Sequence, residues 1–358
     1  MKKLLIVTQA VDVHDPILGF FHTWIVEFSK NTDALTVLCL REGDHSLPRN
    51  VKVFSLGKKH THEASILERL RYAARFFRYI IAFRNEYDSV LVHMNPEYIV
   101  LGGLLWRSMG KNIVLWYTHR QVNFKLRVAT LFAHSILTAA KESFRLNTNK
   151  VHPIGHGIDV ATFKEVFDAN KVIKEPVNII SVGRISPIKN LDTLIEAVQE
   201  IVTSGISVKL YLIGAPAVSS DTKYLDMLQK MANIPELKNV VHFVGAVQPG
   251  EMSSWYGNGD ILVNLTPTGG IDKAVLEAMA SGVVPLTSNQ AFALFFGKYK
   301  DALLFRERDV KSLVVAIRNI ITSQHVSDIR TYLQTVVVKN GSVEGVVRKI
   351  GEYLWKNK

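Results

Sequence analysis

The feature that most constrains this chain is a rhythm that runs along it twice: short apolar runs, each followed by a segment of helical period. In the first half the runs are 4–8, 35–40, 51–54, 89–93, 112–117 and 135–138, with helical segments near 20–30, 65–85, 97–109 and 124–133. Each run is apolar on both faces, as strands of a parallel sheet must be when helices cover both sides. The series restarts at 177, with runs at 177–182, 208–213, 240–244, 261–265, 284–287 and 302–305. Helical segments lie near 190–203, 219–232, 250–257, 271–281 and 309–322. Such βα alternation predicts an α/β fold of two doubly wound open sheets. The expected domains are 1–165 and 175–338, joined by a polar stretch over 160–176 that ends in proline, with a last helical segment over about 340–358.

A chain of 358 residues, 47% of them hydrophobic, can bury two cores. Its one cysteine, Cys39, sits inside an apolar run, so it offers no disulfide and no metal-ligand spacing, and a reducing compartment fits. The opening Met1–Gln9 carries two lysines and then an apolar run that breaks at Thr8, which reads as a buried first strand rather than a secretory leader. No run approaches the roughly 18 apolar residues a spanning helix needs. A cytoplasmic protein is the expectation. The net charge of +11 asks for an acidic partner: nucleic acid, anionic lipid or a phosphate-bearing ligand. With no recognised nucleic-acid module and charges spread along the chain, nucleic acid is set aside.

The chemistry concentrates in a few places. Ser181-Val-Gly-Arg-Ile-Ser-Pro-Ile-Lys-Asn190 lies at a strand-to-helix turn. Gly183 permits close backbone approach, and Arg184 and Lys189, five apart, can converge on one anion beside the positive end of the next helix. A diphosphate clamp is one reading; a solvated basic loop is the other. Thr266-Pro-Thr-Gly-Gly-Ile-Asp-Lys-Ala-Val-Leu-Glu-Ala-Met-Ala-Ser-Gly282 follows another strand. The amides of Gly270, Ile271, Asp272, Lys273 and Ala274 can cradle phosphate or sugar hydroxyls. Glu277, among apolar neighbours, needs a partner: a ribose diol or a neighbouring cation. Gly245, just after the run 240–244, completes the donor-side candidates.

In the first half, Gly19 follows the first strand, His119 the fifth, and His156 opens a His-Gly-Ile-Asp segment before the linker. Gly19 would let backbone approach a diphosphate, His119 would face an acceptor or the reacting sugar, and His156 would line the edge of the cleft; each also has a purely structural reading. The helix over 65–85 mixes arginines with aromatics. It suits peripheral contact with anionic lipid, or simply a core stripe with its arginines in water.

Taken in order, Gly19, His119, His-Gly-Ile-Asp, Val-Gly-Arg-Ile-x-x-x-Lys-Asn and Leu-Glu-Ala-Met-Ala-x-Gly resemble glycosyltransferase family 4, the group 1 glycosyl transferases, over essentially the whole chain. The resemblance implies a GT-B fold, two Rossmann-like domains facing across a cleft, with the final helix crossing back to the first domain. It implies a retaining, metal-independent, cofactor-free transfer from a UDP-, GDP- or ADP-linked sugar to a glycan or lipid-linked acceptor. Arg184 and Lys189 would hold the diphosphate, Glu277 the ribose, and His119 would lie near the sugar. The alternatives on the same architecture are a sugar-nucleotide epimerase and a catalytically degenerate nucleotide-sugar binder. One departure stands out: where the family carries a first glutamate, eight residues before Glu277, this chain has Gly269. Asp272 or Lys273 is the expected substitute.

Overall fold

Two parallel sheets form, one from each series of apolar runs. The computed structural model describes residues 1–15, 18–58 and 64–356. The chain divides into two compact units, Met1–Gly157 with Val343–Lys358, and Ile158–Ser342.

The first unit carries strands β1 (Lys3–Val11), β2 (Ala34–Glu42), β3 (Val51–Ser55), β4 (Ser89–His93), β5 (Asn112–Trp116), β6 (Ser135–Thr138) and β7 (Val151–Pro153). They lie in the order β3-β2-β1-β4-β5-β6-β7, all parallel. The order reverses between β1 and β4. Because parallel crossovers are right-handed, connections running in opposite directions place their helices on opposite faces. Helix Phe21–Lys30 accordingly packs on one face, and helices Ile66–Ala82, Pro96–Ser108 and Phe124–Phe132 on the other, each with its own apolar cluster.

The first of those faces is completed from the far end of the chain. Helix Val343–Leu354 buries Val343, Val346, Val347 and Ile350 against Trp24, Phe28 and Leu91. Its last carbonyls accept from Ser89 Oγ (2.6 Å, to Leu354) and Asn112 Nδ2 (2.8 Å, to Tyr353 and Leu354). The final helix thus belongs to the first unit, as the resemblance implied.

The second unit has β8 (Val177–Val182), β9 (Val208–Ile213), β10 (Val241–Gly245), β11 (Ile261–Asn264) and β12 (Val284–Thr287), in the parallel order β10-β9-β8-β11-β12. Again the order reverses, now between β8 and β11, which is where doubly wound sheets bind ligands.

Four sequence readings change. The stretch 160–176 lies within the second unit, which begins at Ile158, and opens on a short helix, Val160–Lys164, that buries Val160 and Phe163. The run 302–305 is not a strand: Lys300–Leu303 is a helical turn, and only Leu304 bridges to Thr287. So short an apolar run cannot be told from a buried turn of helix by pattern. β7 went unseen because it is three residues long and ends in proline at a sheet edge, where proline is tolerated. Helix Val326–Asn340 was missed because Val336, Val337 and Val338 carry strand propensity.

Candidate functional site

At the end of β8 the chain turns through Gly183, whose φ of +138° suits glycine alone. Its N–H donates to the Ile213 carbonyl at the end of β9 (3.0 Å). Gly214 lies so close that a Cβ there would stand 2.0 Å from the Gly183 oxygen. A Cβ on Gly183 itself would meet Lys189 Cε and Nζ at 3.3 Å, so the lysine lies back over the glycine. Asn190, left-handed at φ +46° and buried, ends this loop. Its amide donates to the Leu265 carbonyl (3.1 Å) and its Oδ1 accepts from Arg308 Nε (3.0 Å), so the loop is tied to the end of β11.

Lys189 Nζ donates to Asp272 Oδ2 (2.6 Å) and Thr266 Oγ1 (3.0 Å). The same carboxylate oxygen accepts from Asn264 Nδ2 (2.9 Å) and Thr266 Oγ1 (3.1 Å). Burial alone would raise the Asp272 pKa. The Lys189 charge and the three donors outweigh it and hold the carboxyl at about 2. Asp272 also caps helix Lys273–Ser281 through Ala274 N (3.4 Å). Behind it, buried Asn289 donates to the Gly270 carbonyl (2.7 Å), and Gln290 N–H donates to Thr268 Oγ1 (3.0 Å). The loop that opens this helix therefore rests on a hydrogen-bonded floor, with Ile271 and Ala274 buried beside it.

Arg184 takes a different partner. It is exposed, and its Nε lies 3.7 Å from Asp221 Oδ2, a carboxylate buried at the start of helix Ser219–Ala232. Each of the two cations thus has an aspartate beside it, Asp221 for Arg184 and Asp272 for Lys189. One turn into helix Lys273–Ser281, Glu277 accepts from Tyr256 Oη (2.7 Å). Burial raises the Glu277 pKa, against the pull of the tyrosine donor and the Lys273 charge. Lys273, one turn earlier, is lowered to about 8 by burial. Gly245 closes β10 at φ +82°, its carbonyl accepting from Gly214 N (2.8 Å).

The first unit's candidates follow the carboxyl ends of its strands. Gly19 is required by its own loop, since a Cβ would stand 2.7 Å from the Asp15 carbonyl and 2.8 Å from that of Val13. His119 is exposed beyond β5, its ring edge-on to Tyr117 (5.6 Å). His156 is buried within an aromatic box of Phe20, Trp24 and Trp116, at 5.9–6.3 Å between centroids. Among the described residues no group of three or more His, Cys, Asp or Glu is arranged to hold a metal ion, and no helix is long and apolar enough to cross a membrane.

Sequence reading missed Asn264, Thr266, Asp221, Asn289 and Tyr256. For the first two a signal existed: polar residues at the end of an otherwise apolar strand, where a doubly wound sheet binds its ligands. The others act over distances in sequence that no local pattern records.

The family model for glycosyl transferases group 1 matches residues 162–342, just over half of the chain. A Streptococcus pneumoniae (strain ATCC BAA-255 / R6) protein named alpha-monoglucosyldiacylglycerol synthase is 24% identical over 248 residues, 66% of this chain and 52% of its own length. The chain thus spans about half the length of that relative. Among solved structures, Anabaena Alr3699/HepE in complex with UDP and glucose superposes with a TM-score of 0.74 at 16% identity, covering 99% of both chains. A Rickettsia africae ESF-5 glycosyltransferase gives 0.76 at 12% identity over 100% of both chains, and the Thermosynechococcus elongatus sucrose-phosphate synthase 0.74 at 13% over 98% of both. These likenesses give the fold, and with the family model matching 162–342, just over half of the chain, the chain belongs to the group 1 glycosyl transferases.

Proposed function

We propose that this chain is a retaining, metal-independent glycosyltransferase of the family 4 type. It takes a sugar from a nucleoside-diphosphate donor held by the second unit and passes it to a hydroxyl acceptor held by the first. The observation that carries the reading is the pairing of two turns at neighbouring strand ends: the Gly183–Lys189 loop after β8 and the Asp272-capped helix after β11, joined by the Lys189–Asp272 contact (2.6 Å).

Arg184, Lys189 and the amides that open helix Lys273–Ser281 stabilise the charge that grows on the diphosphate as the bond to the anomeric carbon breaks. The acceptor oxygen bonds to that carbon on the face the phosphate leaves, and its proton goes to the departing phosphate oxygen. Glu277 accepts from the ribose hydroxyls. Glycine at 269 has no side chain to reach the sugar as the family's first glutamate would. Asp272, saturated by four donors, does not take over that role; it fixes Lys189, and Lys273 takes the sugar side. HepE, solved with UDP and with UDP-glucose, supports a UDP-linked sugar as the first donor to test. The name of the pneumococcal relative supports a diacylglycerol-based lipid acceptor.

A lipid acceptor fits helix Ile66–Ala82. Only Phe76 and Ile80 are buried, and Ile66, Leu67 and Leu70 stand 78, 67 and 61% exposed among four arginines. We place this helix on the anionic inner face of the cytoplasmic membrane. Gly269 alone favours the second reading, a degenerate nucleotide-sugar binder.

A thermal-shift screen against UDP, GDP, ADP and their sugar conjugates tests the proposal. One nucleoside diphosphate raises the melting temperature, and Arg184→Ala and Glu277→Ala abolish the rise. Full turnover in Arg184→Ala, or activity lost to EDTA, would sink the mechanism.

A further inference from the structure

Tyr256 lies in helix Met252–Asn258 and has no exposed surface. Phe163 meets its ring edge-on at 5.4 Å and 89°, which fixes the ring plane. A phenol has one proton to give. Two acceptors stand near it, Glu277 Oε2 at 2.7 Å and the Ala274 carbonyl at 3.3 Å, both on helix Lys273–Ser281. The shorter contact, to a carboxylate, takes the proton. Packing alone would be met by phenylalanine, so the hydroxyl calls for a reason, and the carboxylate it holds is the one assigned to the ribose.

We propose that Tyr256 is a positioning residue: it holds Oε2 of Glu277 so that the other carboxylate oxygen is presented to the donor's ribose. This rests on the reading of Glu277 as the ribose ligand. The phenol also opposes the burial that pushes the Glu277 carboxyl toward its neutral form. Without it, Glu277 protonates at higher pH and loses an acceptor for the diol.

Calorimetry with the nucleoside diphosphate that stabilises the protein most (UDP, GDP or ADP) and with its 2′,3′-dideoxy analogue tests this. In Tyr256→Phe, affinity for the ribonucleotide falls about tenfold, as expected for one hydrogen bond to a charged group, while the dideoxy analogue binds as to wild type. The acid-side loss of ribonucleotide affinity moves to higher pH. In a Glu277→Ala background, which removes the acceptor of the Tyr256 hydroxyl, Tyr256→Phe has no further effect. An equal loss with both ligands, or an undiminished effect in that background, overturns the inference. Should Tyr256→Phe not fold, Phe163→Leu loosens the wall of the ring instead, with the same ribonucleotide-only loss expected; an equal loss again overturns it. If Glu277→Ala alone keeps the preference for ribose, the ribose reading fails and takes this inference with it. A failure confined to the Tyr256 and Phe163 variants leaves that reading standing.

Discussion

At the scale of single residues, the candidate donor site depends on a glycine and an aspartate. Gly183 combines φ +138° with a lysine 3.3 Å from where its Cβ would be. Gly183→Ala should therefore cost about 1–3 kcal/mol of stability, and more in donor affinity than in stability because Lys189 is displaced; urea unfolding and calorimetry separate the two. Asp272 is held at about 2, below the ordinary aspartate value of 3.8. A depressed carboxyl stabilises the fold above its unfolded pKa, so its contribution is intact above about pH 4 and lost as the pH falls toward 2; it is on the order of 2 kcal/mol. Asp272→Asn should lose that amount at pH 7 and flatten the acid limb of the stability curve between about pH 4 and 2, as followed by urea melts. The sequence displayed Arg184, Lys189 and Glu277 because each sits in a local motif. It hid the contacts that position them: Asp272, legible only as a residue of the helix-opening loop, is 83 residues from Lys189, and Tyr256 is 21 from Glu277 on a different helix.

At the scale of elements, the strands were nearly all legible, several to the residue, because parallel strands buried on both faces have few other readings. The exceptions, the three-residue β7 and the turn at 300–303, are too short for any period to show. Helix Ile66–Ala82 is the element whose sequence left two readings open, a core stripe or a lipid surface. Its capping box, Ser65 with Glu68 (2.8 and 3.3 Å between side chain and backbone), stabilises a helix that packing holds at only two buried positions. Ser65→Ala should cost about 1 kcal/mol, visible as a lower melting temperature. Replacing Leu67 and Leu70 with glutamate should leave the fold intact, since both side chains are exposed. It should also reduce co-sedimentation with anionic vesicles severalfold; binding that matches wild type would remove the membrane assignment.

At the scale of the whole molecule, the chain enters its second unit at Ile158 and leaves it at Ser342, and those two residues bridge side by side, with Ile158 N–H donating to the Gly341 carbonyl (2.8 Å). The second unit is continuous in sequence and has its own sheet. The fragment 158–342 should therefore fold alone, giving native-like near-ultraviolet circular dichroism. The fragment 1–157 should not, because the helix that seals Trp24, Phe28 and Leu91 is missing; adding a 343–358 peptide should restore its cooperative melting transition. The order in which a ribosome delivers these parts then matters. A nascent chain has all seven strands of its first sheet outside the exit tunnel while 185 residues of the second unit still separate it from its covering helix. Throughout that interval the part of one face that helix Val343–Leu354 covers is an open apolar surface beside helix Phe21–Lys30, so the first unit waits, half-dressed, for that helix, and chaperones that recognise exposed apolar surface have a defined window in which to hold it.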